Sequence, residues 1–139
     1  MIIVQKFNSL GEIDKEFISL YFIFDESNEG MNDDEAEGHL MHAMNGYIFG
    51  NQPGLIMKKD DKVRWHLLGM GTEVDIHTPH WHGEVVSNHG IYTDVVELLP
   101  ATMLSVDMLA ENVGQWLYHC HVTDHITAGM ISMYDIREK

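Results

Sequence analysis

An all-β sandwich folded as one domain is the class this sequence predicts, and three observations predict it. The chain has 139 residues, 45% of them apolar, which suits a single domain with one hydrophobic core. Its apolar residues fall in short β-branched and aromatic runs. Turn signals separate these runs at the spacing of a sandwich, and no long helical pattern, repeat or linker interrupts them.

The elements follow in order. Residues 16–24 (Glu-Phe-Ile-Ser-Leu-Tyr-Phe-Ile-Phe) read as a buried strand that ends in a polar loop. Asn45-Gly46 is a turn signal, and Pro53-Gly54 makes another before Leu55-Ile56-Met57. Residues 62–68 alternate as a strand should and stop at Gly69. Further strands are expected near 73–76, 80–86, 91–98, 103–108, 114–121 and 130–136. A short helix over 106–112 is the alternative to part of that assignment.

Charge narrows the partners. With 8 basic and 22 acidic residues, the chain repels nucleic-acid phosphates and anionic lipid, so neither partner is expected. Seven acids and no base lie between Asp25 and Glu37. That loop is either a solvated surface or a patch that attracts cations or a basic redox protein. No run approaches the roughly 18 apolar residues of a membrane span. Met1-Ile2-Ile3-Val4 is too short for the apolar stretch of a signal peptide, so none is visible.

The chemistry is concentrated in two motifs, His77-Thr78-Pro79-His80-Trp81-His82 and His119-Cys120-His121-Val122-Thr123-Asp124-His125, the second followed by Met130. A type 1 copper site wants one thiolate and two imidazoles in a plane with a weak axial thioether. Cys120, His125 and Met130 have the spacing of a loop between two strands, and His77 is the natural source of the remaining ligand. Structural zinc is the competitor, but it usually recruits more than one thiolate, and Met is a poor zinc ligand. The lone cysteine is elsewhere an inert small hydrophobe. Flanked by histidines, it is the candidate redox ligand.

Strand alternation sharpens this. Along residues 116–121, Trp116, Tyr118 and Cys120 face one way, and Leu117, His119 and His121 face the other. His80 and His82 share a face opposite Trp81. Four imidazoles (His80, His82, His119, His121) are therefore expected on an outer face, as half of a second copper site.

On these residues the chain resembles the multicopper oxidases, in particular the last cupredoxin domain of ceruloplasmin and hephaestin. The similarity runs from about Phe17 to Tyr134. It includes Met41-His42-Ala43-Met44-Asn45-Gly46 and Gly69-Met70-Gly71-Thr72-Glu73-Val74-Asp75-Ile76-His77. The resemblance implies a single cupredoxin-type Greek-key β-sandwich over residues 1–139 and an extracytoplasmic location. It implies a type 1 ion on His77, Cys120, His125 and Met130, a type 2 ligand at His80, and type 3 ligands at His82, His119 and His121. It also implies a divalent-metal substrate site at Glu37, His42 and Asp124.

The chain departs from the family in number. Oxygen-reducing members need eight cluster histidines from two domains, and this chain offers four in family positions. Three functions stay open on these grounds. One is a type 1 copper protein that transfers electrons or oxidises a small molecule or metal ion. Another is an oxidase, or a nitrite-reductase-like enzyme, completed by oligomerisation, with a homotrimer favoured. The third is a copper-binding module without turnover.

Overall fold

The computed structural model describes residues 12–71 and 75–139. Two sheets face each other. In the six-stranded sheet the order is β2-β1-β4-β8-β6-β7, from β1 (Lys15–Asp25), β2 (Leu40–Met44), β4 (Lys62–Gly69), β6 (Val86–Asn88), β7 (Ile91–Thr93) and β8 (Met103–Leu109). The four-stranded sheet runs β3-β10-β9-β5, from β3 (Ile56–Lys58), β5 (Pro79–Trp81), β9 (Gly114–Cys120) and β10 (Ile131–Arg137). Non-consecutive neighbours make the chain cross repeatedly between sheets, as a Greek-key sandwich requires. Two five-residue helices, α1 (Asp33–Glu37) and α2 (Thr123–Thr127), sit in loops.

Alternation of side chains builds the core. Phe17 and Tyr21 from β1, Val63, Trp65 and Leu67 from β4, and Val106 and Met108 from β8 meet Tyr118, Tyr134 and Ile136 of the facing sheet. Trp65 is the hub, with ring centroids 4.8 Å from Phe17 and 4.8 Å from Tyr118. Burying side chains of this size stabilises the sandwich by roughly 1.5–3 kcal/mol each. The turn expected at Asn45-Gly46 is present, with φ of 52° and 82°. The Asn45 side chain accepts from Leu20 N–H and donates to the Ile18 carbonyl, which ties the turn to β1.

Three expected strands are corrected. Of residues 73–76, Glu73 and Val74 lie outside the described residues, while Asp75 and Ile76 are irregular. Gly71 turns at φ 121°, and the Asp75 carboxylate packs where a Gly71 Cβ would stand; His77 then bridges to Leu98. Residues 80–86 break after β5, because Gly83 at φ 77° lets the Trp116 ring lie against its backbone. The chain then changes sheets: β5 pairs with β9, and β6 pairs with β8. Residues 91–98 form a strand only through Thr93 and continue as single bridges.

The helix alternative at 106–112 is also overturned. Val106 to Leu109 belong to β8, in antiparallel register with β4 and with alternate residues buried. The acidic loop holds α1, which composition did not announce. Its signal was local: Asn32 caps Glu35 N–H, and the Glu35 carboxylate returns to Asn32 N–H. Among the described residues no helix is long and apolar enough to cross a membrane.

Candidate metal centre

The first cluster forms where three chain segments meet at one end of the sandwich. β9 turns Cys120 inward, where it is fully buried. The loop that follows wraps back through α2, so Met130 N–H donates to the His125 carbonyl and Cys120 N–H donates to the Met130 carbonyl. His77 is fixed by reciprocal backbone bonds with Leu98, each 2.9 Å. These constraints bring His77 Nδ1 within 3.3 Å of His125 Nδ1, and Cys120 Sγ within 3.5 Å of the same nitrogen. All three donor atoms lie within 4.8 Å of one another. Met130 is fully buried beside them, held by both its backbone bonds.

Electrostatics prepare this triad for a cation. Burial, then the neighbouring His125, lowers His77 to about 4. Burial also lowers His125, so both rings are neutral at physiological pH and keep free lone pairs. Burial raises the Cys120 thiol, while Thr78 N–H, 3.3 Å from Sγ, offers the thiolate a hydrogen bond. A soft thiol and two neutral imidazoles converging in a dry pocket fit copper better than zinc.

The second cluster occupies the opposite face of β9. His80 Nδ1 and His82 Nε2 lie 3.3 and 3.0 Å from His119 Nε2. The His121 ring lies 4.9 Å from that of His80 and 5.5 Å from that of His119. The tautomer of His119 follows from its partner. Its Nδ1 is 2.8 Å from the Cys120 carbonyl, which only accepts, so Nδ1 carries the proton and Nε2 presents its lone pair to the recess. Burial lowers His119 and His80, which keeps these rings neutral too. The expected outer face is thus a recess. His119 forms a buried floor, His80 and His82 are half-buried walls, and only His121 is exposed.

Glu37, His42 and Asp124, distant in sequence, line one cavity of about 620 Å³ beside the first cluster. His42 is buried with its ring centroid 4.5 Å from that of His125, and its Nδ1 has no hydrogen-bond partner. Burial, then His125, lowers it. The cavity also contains Asp34 and Asp75, which sequence reading passed over. Asp34 precedes Glu37 by one helical turn, and Asp75 precedes His77 by two residues; those offsets were the available signals. His66, isolated in sequence, is engaged on the far face of the six-stranded sheet by Glu16 at 2.6 Å and Ser105 at 2.9 Å.

A two-sheet Greek-key sandwich with a Cys–His loop at one end defines a cupredoxin-like domain, and the chain belongs to the multicopper oxidase family. The family description "Multicopper oxidase" matches residues 23–139. The chain is 40% identical over 147 residues to the ferroxidase HEPHL1 of Mus musculus, covering 91% of this chain and 13% of that protein. It is 40% identical over 142 residues to ceruloplasmin of Homo sapiens, covering 87% and 13%. Hephaestin of Homo sapiens is 37% identical over 156 residues, covering 96% and 14%. The chain therefore spans about one seventh of these relatives' length. Among solved structures, a multicopper oxidase superposes with a TM-score of 0.74 at 18% identity, covering 90% of this chain and 45% of that one. A metallo-oxidase from Campylobacter jejuni gives 0.71 at 16%, covering 97% and 32%. At such identities the superpositions establish the fold. The homologues are ferroxidases and multicopper oxidases, which are copper-dependent oxidoreductases.

Proposed function

We propose that this chain is the redox domain of a copper-dependent oxidase, with a type 1 ion held by His77, Cys120, His125 and Met130. Bound there, copper supplies one-electron exchange. The observation that carries the reading is the placement of two imidazole clusters back to back on β9, joined through Cys120. Its Sγ lies in one cluster, and its carbonyl accepts from His119 of the other.

The chain's own residues divide the remaining work. Glu37, His42 and Asp124 receive a divalent metal ion as substrate, since carboxylates and an unpartnered imidazole line a cavity that touches His125. Burial excludes water from the thiolate ligand. Thr78 N–H holds the Cys120 sulfur in place, and the Cys120 carbonyl holds His119 with Nε2 toward the recess. His80, His82, His119 and His121 bind type 2 and type 3 copper together with a partner cupredoxin domain in a homo-oligomer. An extracytoplasmic location accompanies this reading.

Copper content tests it. The loaded chain is expected to show intense thiolate-to-copper absorption and more than one copper per chain, and Cys120→Ser is expected to lose the absorption. A Cys120→Ser protein that keeps intense colour refutes the type 1 assignment. One copper per chain under all conditions reduces the domain to an electron carrier.

A further inference from the structure

The core of this sandwich is filled with rings that give up electrons readily, where inert ones would fill the same space. All three tryptophans and three of the five tyrosines lie in the core or packed against it. Phe17 is the one phenylalanine there among the described residues, and Phe22, Phe24 and Phe49 are left half-buried or exposed. This choice costs stability. Trp65 and Trp81 bury their indole N–H groups without a hydrogen-bond partner, and phenylalanine at either position would bury none. Native proteins rarely leave buried polar groups in that state, so the indoles call for a functional account.

The rings form a column that starts at the first cluster. The Tyr21 ring lies 5.5 Å from that of His77, and Tyr118 lies two residues before Cys120 on the same face of β9. Between centroids, Tyr21 is 6.2 Å from Tyr118, which stacks on Trp81 at 5.1 Å and lies 4.8 Å from Trp65. Trp65 is 6.1 Å from Tyr134, and Tyr134 faces Trp116 across the β9–β10 ladder. Trp116 stands four residues before Cys120, roughly 13 Å along the strand. It is only partly buried, and its N–H donates to the carbonyl of exposed Asn112 at 2.8 Å.

We propose that Tyr21, Tyr118, Trp65, Trp81, Tyr134 and Trp116 form a one-electron relay that drains oxidising equivalents from the ligand end to the surface at Trp116. The source of those equivalents rests on the oxidase reading of the two clusters: partly reduced dioxygen is a one-electron oxidant produced beside an oxidisable thiol. Cys120 carried past the sulfenic acid does not return, so a faster outlet preserves the ligand. Tyr118 loses one electron to the oxidant, Trp65 or Trp81 refills Tyr118, and Trp116 refills the indoles through Tyr134. Tunnelling falls exponentially with distance, so short steps between neighbouring rings outrun one jump across the sandwich. Inside the core an oxidised indole has no partner for its N–H proton and stays a cation in a dry interior, which is unfavourable and drives the electron hole outward. At Trp116 the N–H proton passes to water and leaves a neutral radical. A small thiol or an ascorbate-class reductant then returns one hydrogen atom. The balance is one electron to the oxidant, one hydrogen atom from the reductant and one proton to solvent.

Flash photolysis of the copper-free chain tests the relay without copper. A ruthenium polypyridyl complex is attached through Thr123→Cys, at an exposed position three residues past Cys120; Cys120 itself is buried and escapes the label. Flash-quench oxidation then places ruthenium(III) at the ligand end. The expected result is the visible absorption of a neutral indolyl radical, with oxygen added at Trp116 and Cys120 intact in peptide mass spectra. Combining Trp65→Phe with Trp81→Phe, which keeps aromatic rings in the core, should abolish that radical and shift oxidation to Cys120. Trp116→Phe, at the rim of the core, should keep radicals inside and shift oxidation to the buried indoles and Cys120. An indolyl signal at Trp116 that survives the double substitution overturns the relay, as does its absence from the original chain. Failure of the oxidase reading shows separately, as missing thiolate-to-copper absorption in the copper-loaded chain.

Discussion

Copper binding at the first cluster should release one proton per ion near neutral pH, and the structure fixes that number ligand by ligand. His77 sits at about 4 and His125 is lowered by burial, so at pH 7 both arrive without a proton to lose. Cys120 is raised by burial, so its thiol arrives protonated and must give up its proton to become the ligand. The affinity should therefore climb about tenfold per pH unit around neutral pH, a change of about 1.4 kcal/mol per unit. As the pH falls toward 4 the dependence should steepen, because His77 then carries a proton that the metal must displace. Copper entering the second cluster adds no proton where its rings are neutral. Calorimetric titration at pH 7 in two buffers of different ionisation enthalpy counts the released protons. Cys120→Ser, lacking the thiol, should release none. A wild-type count of zero for the first equivalent means the sulfur is not the ligand. A count of three means that the histidines are not held neutral.

Other perturbations test the frame around the site. Gly83→Ala forces a left-handed alanine whose Cβ would lie 2.4 Å from the Trp116 ring; chemical denaturation should show a loss of roughly 3 kcal/mol or more. Asp107→Asn removes the charge that chelates the buried Arg64 at 2.6 and 2.7 Å. Asp107 is 46% exposed, so the expected loss by the same assay is only about 1–2 kcal/mol. On the function proposed above, Glu37→Gln should raise the KM for a divalent metal ion substrate about tenfold and leave the visible spectrum unchanged, because Glu37 lines the cavity and is not among the four proposed copper ligands. Copper-free Cys120→Ser should unfold within about 2 kcal/mol of the original, since only a small buried sulfur is replaced.

The readable parts of the fold were those where one physical rule acts alone. Strand β9 was legible to within one residue, 114–121 expected and Gly114–Cys120 found, because alternation needs only local sequence, and it set Cys120 against His119. Lys62–Gly69 was legible for the same reason, and Lys15–Asp25 from its run of β-branched and aromatic residues. Legibility failed where backbone geometry depends on a distant side chain. The break at Gly83 needs Trp116, which lies 33 residues later, and the irregular backbone at Asp75 and Ile76 goes with the packing of Asp75 on Gly71. The burial of His119 was missed because alternation gives direction and says nothing of depth. Asp34 and Asp75 were missed because a cavity is assembled by tertiary contacts among residues that share no motif.

The two candidate metal clusters are separated by nothing but the parity of a pleat. Because Cys120 and its neighbours His119 and His121 differ by one position, every odd residue of that segment serves one centre and every even residue the other. Deleting or inserting a single residue within β9, upstream of the pair, would leave composition and hydropathy almost untouched. Yet it would force a choice. The strand could keep its register with β5 and β10, putting an imidazole in place of the thiol at the first centre and the thiol in place of an imidazole at the second, or it could keep its ligands and lose the ladder. Substitutions along β9 can therefore be graded and tolerated one by one, whereas a change in its length has no intermediate outcome.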